Sequence, residues 1–128
     1  MTKPKLTLSI LPEKIAICHL AKNSLIPDWA KNISFCSITR TKDELSLVCS
    51  QDNIPGGVMA EKDWRAFKVE GPISITSIGI TASLSQPLAQ AKIPIFYIGT
   101  YQTDYLLVEE KNLEKASEVL SKFCNIKE

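Results

Sequence analysis

Along the first half of the chain the apolar positions fall in short runs of strand length. Residues 5–10 (KLTLSI) and 13–20 (EKIAICHL) are two such runs parted by Leu11-Pro12, which predicts two strands paired antiparallel. A polar stretch follows, NSLIPDWAKN, in which Pro27 suits the first position of a single helical turn. ISFCSITR and ELSLVCSQ are the next pair, joined by Thr41-Lys42-Asp43. In the second of them Leu45, Leu47 and Cys49 alternate with Ser46, Val48 and Ser50, the pattern of a partly buried strand. Residues 52–63 (DNIPGGVMAEKD) form the expected linker, because Pro55-Gly56-Gly57 breaks any regular element.

The second half changes period. WRAFKVEG and PISITSIG are expected to be extended, with a break at Gly71-Pro72. Ile80, Leu84, Leu88 and Ala91 then recur at helical spacing, and Pro87 is expected to kink that helix by removing a backbone donor. IPIFYIG and DYLLVEE flank the turn GTYQTD, and Leu113, Ala116, Leu120 and Phe123 line a last helix with Asn112 as its N-cap. A β-α-β-β-α run with nearly continuous apolar strands predicts an α+β domain whose two helices cover one sheet face. The other face is also apolar, so a partner subunit or the first half of the chain is expected to cover it.

Composition narrows the functional classes. Fifteen basic and 14 acidic residues leave the 128-residue chain a net charge of +1, with no basic stripe for nucleic acid or an anionic membrane. No run approaches the roughly 20 apolar residues of a membrane span, and the start, MTKPKLTLSILPEK, lacks a signal-peptide core. Cytoplasm is therefore the expected compartment. The cysteines, Cys18, Cys36, Cys49 and Cys124, are far apart in sequence and sit in apolar surroundings, so reduced thiols are expected rather than a disulfide framework or a zinc site.

Catalytic groupings are missing. The single histidine, His19, lies within an apolar strand, there is no Gly-x-Ser-x-Gly elbow, and nothing stands at metal-ligand spacing. Glu109 and Glu110 are strand neighbours that point to opposite faces. Pro55-Gly56-Gly57 lacks the Gly-Lys-Ser/Thr ending of a phosphate loop, and Trp29 and Trp64 are not interleaved with basic residues. Neither catalysis nor a cofactor nor a metal is expected.

Two loops carry what chemistry is left: residues 75–81 (ITSIGIT), where a strand passes into the helix, and residues 99–105 (GTYQTDY), in the hairpin. A helix N-terminus presents free N–H groups and partial positive charge, which suit a carboxylate, and Gly79 lets a ligand approach the backbone. Asp104 would hold an ammonium group and Thr100 would supply a hydroxyl. Together they describe an α-amino acid; the plainer alternative is that Gly79 eases a turn and Asp104 shapes a hairpin.

At these residues VEGPISITSIGITASLSQPLAQAKIPIFYIGTYQTDYLLV resembles the ACT-domain proteins of the CASTOR type, relatives of the aspartate-kinase regulatory domains. The likeness is strongest over residues 64–109, with a weaker echo at ELSLVCSQDNIP. The resemblance implies a degenerate β-rich ACT-like unit over residues 1–62 and a complete ferredoxin-like βαββα ACT domain over residues 63–128. It further implies a homodimeric, non-catalytic regulatory sensor of amino acids. Carried over by motif, Ile78, Gly79 and Ile80 would meet the ligand carboxylate or stem, and Thr100, Tyr101 and Asp104 would line the other side. Arginine-sensing relatives carry an acidic residue two positions before the glycine; Ser77 stands there, so arginine specificity is not implied. The alternative role is a ligand-free ACT module that dimerises or docks on a regulated protein.

Overall fold

The computed structural model describes residues 6–31 and 34–128. Lys5, Asn32 and Ile33, which the sequence reading placed in the first strand, the loop and the third strand, lie outside them. In chain order the elements are β1 (Leu6–Ile10), β2 (Ile15–Leu20), β3 (Cys36–Arg40), β4 (Leu45–Ser50), β5 (Met59–Val69), α1 (Ile80–Gln90), β6 (Phe96–Gly99), β7 (Asp104–Glu109), α2 (Leu113–Leu120) and β8 (Cys124–Lys127). Short 3-10 turns precede β3, follow β4 and lead into α2, the first of them (Asp28–Ala30) directly after Pro27. The residues divide into two compact units. One contains β1 and Arg65–Glu128; the other is Glu13–Trp64.

In the first unit the strand order is β6-β7-β5-β1-β8, with β8 parallel to β1. Alternation aims Phe67 and Val69 of β5 and Leu106 and Val108 of β7 at the helix side. There they form one buried core with Leu8, with Leu84 and Leu88 of α1, and with Ala116 and Leu120 of α2. Each such large apolar side chain contributes about 1.5–3 kcal/mol on burial, so this face anchors α1 and fixes where its N-terminus emerges.

The glycine-bounded turn is tightly held. Gly99 and Asp104 are register partners, and Thr100 donates its N–H to the Thr103 carbonyl at 2.8 Å.

The second unit is a sheet of β3, β4, β2 and the first half of β5. Its core holds Ala16, Cys18, Ala30, Leu45 and Leu47, with Trp29 packed against it. His19 points to solvent, 3.3 Å from the Glu44 carboxylate.

Several expectations change. β1 and β2 do not pair with each other: β1 is antiparallel to residues 67–69 of β5, and β2 to residues 59–64. Each strand finds a partner in a different half of one long strand, and a hairpin across Leu11-Pro12 is not needed. The expected linker is correspondingly shorter. β5 already begins at Met59, directly after the Gly57 turn (φ 89°), and a register shift opposite Ile15–Ile17 absorbs Asp63, itself at φ 64°. The Asp63 N–H donates to the Gln51 side-chain oxygen at 2.7 Å, and the Gln51 amide donates back at 3.0 Å, which stabilises that irregularity.

PISITSIG forms no strand; it is the loop that leads into α1. α1 runs through Pro87 as one element, and Asn112 stands at the start of α2 without a side-chain cap bond. Phe123 lies beyond the last helix, which stops at Leu120; it is 53% exposed, and the chain turns there into β8. The cysteines, distant in sequence, are not distant in space. Cys36 and Cys49 are register partners, and Cys18 on β2 hydrogen-bonds the Cys49 thiol. That bond lowers the Cys18 pKa against the effect of burial, while the same bond and burial push Cys49 up.

Candidate functional site

The loop from Gly71 to Gly79 is shaped from both ends. Gly71 is required sterically, since a Cβ there would stand 2.8 Å from the Ile73 nitrogen. Ile73 N–H donates to the Gln102 carbonyl at 2.8 Å, and the buried Thr103 hydroxyl donates to the Val69 carbonyl. These bonds tie the loop to the β6–β7 turn. Further on, Ser77 N–H donates to the Ser74 carbonyl at 3.0 Å, and the Ser74 and Thr76 hydroxyls bond each other at 2.8 Å.

Gly79 then sets the helix entry. Its φ of 85° lies in the left-handed region that costs L-residues about 1–2 kcal/mol, and a Cβ there would meet nothing within 4 Å. The Gly79 carbonyl accepts the first helical bond, from Ser83 N–H at 2.9 Å. The N–H groups of Ile80, Thr81 and Ala82 therefore have no intrahelical acceptor and carry the positive end of the α1 dipole.

Between this entry and the hairpin lies a cavity of about 680 Å³, lined by residues of the loop, the first turn of α1 and the β6–β7 turn. Gly79, Ile80, Thr100, Tyr101 and Asp104 all line it. Ile78 is not among the lining residues and is 92% exposed. Among the described residues the lining contains one carboxylate, Asp104, and no lysine, arginine or histidine.

Tyr97 was not singled out from sequence, yet it organises the charged end. Its hydroxyl donates to Asp104 Oδ2 at 2.7 Å. Burial raises the Tyr97 pKa to about 12, with Thr81's hydrogen bond opposing and Asp104 reinforcing the shift. The phenol thus links the first turn of α1 to β7 and holds one carboxylate oxygen. Strand alternation was the available signal: Tyr97, Gly99 and Asp104 fall on one face once Gly99 pairs with Asp104.

Thr100 is committed otherwise than a free ligand hydroxyl would be. Its Oγ1 donates to the Thr103 carbonyl at 2.9 Å and accepts from Thr103 N–H at 3.2 Å, closing the turn. Around the mouth, Ile75, Ile78 and Tyr101 expose 76%, 92% and 84% of their surface. Among the described residues no group of three or more His, Cys, Asp or Glu side chains is placed to share a metal, and no helix is long and apolar enough to cross a membrane.

Known proteins share this architecture. The family model described as the ACT domain matches residues 59–122, half of the chain, and a second model, of an N-terminal domain, matches residues 13–57. A crystal structure of an Agobacterium tumefaciens protein superposes with a TM-score of 0.90 at 38% identity, covering 97% of this chain and 93% of that one. The ligand-free regulatory subunit of aspartate kinase from Thermus thermophilus shares the fold, with a TM-score of 0.60 at 10% identity over 88% of this chain and 95% of that one. The human cytosolic arginine sensor for mTORC1, subunit 1, is 28% identical over 99 residues, which are 71% of this chain and 30% of that protein. The chain thus spans about a third of the length of the curated relatives it matches first. With the βαββα order, the two helices on one sheet face and the family match over that same segment, the chain belongs to the ACT-domain family.

Proposed function

We propose that this protein is a non-catalytic regulatory module that binds an α-amino acid, acts in the cytoplasm as a homodimer and controls the activity of another protein. The observation that carries the reading is the cavity in which the open N–H groups at the start of α1 and the Asp104 carboxylate line one space. A zwitterion presents an anion and a cation on one carbon, and these two features are their complements. Gly79 and the backbone of Ile80 would meet the carboxylate, with Ile78 beside them at the rim. Tyr97, by holding Asp104 Oδ2, leaves Oδ1 for the ammonium. Thr100 acts through the turn it closes, and Tyr101 covers the mouth. The human relative, an arginine sensor, and the regulatory kinase subunit with this fold support the class of function.

Thermal shift against the twenty amino acids tests this directly. A ligand at a hundred times its Kd stabilises the fold by about 2.7 kcal/mol, a shift of several degrees. Asp104→Asn is expected to weaken binding about ten- to a hundredfold, the size of one charge-assisted hydrogen bond, while melting near wild type. Equal binding with a much lower melting temperature would make Asp104 purely structural.

The exposed Ile75, Ile78 and Tyr101 favour a second reading, a ligand-free dimerisation or docking module. A protein that dimerises normally but shows no stabilisation by any amino acid would decide for it.

A further inference from the structure

We infer that Cys36 and Cys49 are a reversible oxidation site: hydrogen peroxide joins them in a disulfide that ties β3 to β4, and a small thiol releases it. The inference is independent of the amino-acid site and concerns the second unit alone.

Backbone hydrogen bonding fixes which thiols can be joined. Thr41 N–H donates to the Glu44 carbonyl at 2.9 Å, which makes Thr41 and Glu44 a hydrogen-bonded pair. Bonded and open pairs alternate along an antiparallel ladder. The β3–β4 register runs without a shift from Arg40 opposite Leu45 to Cys36 opposite Cys49, so the two cysteines are an open pair. The other side of β4 agrees. Gln51 N–H donates to the Lys14 carbonyl at 3.0 Å, so Ala16 and Cys49 are a bonded pair and Cys49 turns its backbone polar groups toward β2.

An open pair brings its Cα atoms to about 4.5 Å, inside the roughly 4.4–6.8 Å that a disulfide spans. Cys18 is placed differently. It stands opposite Leu47, two residues along from Cys49, and such diagonal neighbours are roughly 7–8 Å apart. Its thiol reaches Cys49 by a hydrogen bond, but a covalent bridge would need the backbone to move. Access singles out the same pair. Cys18 and Cys49 are 2% and 0% exposed, whereas Cys36 is part-exposed on β3, which among the described residues pairs with β4 alone.

Peroxide removes two electrons from the pair. The Cys36 sulfur attacks one peroxide oxygen, the O–O bond breaks and a water leaves, giving a sulfenic acid. The Cys49 sulfur then attacks the Cys36 sulfur, the S–O bond breaks, and the departing hydroxide takes the Cys49 proton as a second water. Two molecules of a small thiol such as reduced glutathione restore both cysteines and leave as their own disulfide.

Peptide mapping of the full chain tests this. Trypsin leaves the four cysteines on separate peptides, with Cys36 in residues 32–40 and Cys49 in residues 43–62. After peroxide treatment and alkylation in denaturant, those two peptides are expected joined and lighter by two hydrogen atoms, with Cys18 and Cys124 alkylated. Reduced glutathione should then separate them. Cys36→Ser, at a part-exposed position, should abolish the joined peptide, and Cys18→Ser should retain it. A bridge from Cys18 to Cys49, or Cys36 running on to the sulfinic acid while Cys49 stays a thiol, overturns the pairing. Four free thiols after peroxide overturn the site, and a bridge that survives millimolar reduced glutathione overturns its reversibility.

Discussion

At the scale of single residues the site is held together by Tyr97 more than by any residue the sequence pointed to. Its phenol is neutral well past the usual range because burial and the Asp104 carboxylate disfavour the phenolate, and its pKa rises from 10.0 to about 12. A folded-state value above the unfolded one means the neutral form stabilises the native state. That contribution is complete below pH 10 and is lost as pH rises through about 12. Tyr97→Phe should therefore flatten the fall in stability across this window, read by denaturant titration at stepped pH. It should also loosen Asp104 and weaken amino-acid binding several-fold at neutral pH, where the fold itself is little changed. A wild-type profile that is flat between pH 10 and 12 would remove the phenol from this role. Gly79 and Asp104 stood out in the sequence because a glycine just before the helical repeat leaves the backbone open and Asp104 is a carboxylate in the hairpin turn. Tyr97 was hidden in IPIFYIG, where an aromatic residue in an apolar run looks like core. The commitment of Thr100 to its own turn was invisible too, since hydroxyl partners depend on the turn's closed geometry.

At the scale of elements the helices and most strands follow from periodicity, and the misreadings have a common cause. PISITSIG alternates like a strand, but among the described residues no strand offers it a ladder, and its polar groups bond within the loop and to the β6–β7 turn. β8 was missed for the opposite reason. Cys124-Asn125-Ile126-Lys127 is too short to signal a strand alone, yet β1 presents an edge on which it pairs in parallel. Tertiary pairing decides both cases, and local pattern contains none of it. α1 is different. Leu84 and Leu88 are 1% and 0% exposed, so their packing and not helix propensity holds the helix across Pro87. Leu88→Ala should cost about 2–5 kcal/mol, measured by chemical unfolding. If α1 positions the site, ligand binding should weaken with it; a variant that loses stability but binds unchanged when folded would separate the cavity from the helix.

At the scale of the whole molecule the proposed homodimer gives a purpose to side chains that the single chain leaves in water. Ile75 and Tyr101 line the cavity, Ile78 lies in the chain between the lining residues Ser77 and Gly79, and all three expose three-quarters or more of their surface. Isolated apolar residues on a surface need no explanation, but three around a concave site mark a contact region. If a second subunit covers them, occupancy of the cavity and association are linked, and each must strengthen the other by the same factor. Sedimentation velocity across micromolar concentrations, with and without the amino acid found by thermal shift, measures both sides of that linkage. Ligand should move the monomer–dimer midpoint to lower concentration. Ile78→Asp should move it upward at least tenfold, because an unpaired carboxylate in an apolar contact is costly to desolvate. The substituted residue is 92% exposed in the single chain, so its melting temperature as a monomer should hardly change. A protein that stays monomeric at every concentration, with ligand bound, would show that the cavity works without a second subunit and that the apolar rim serves a different partner.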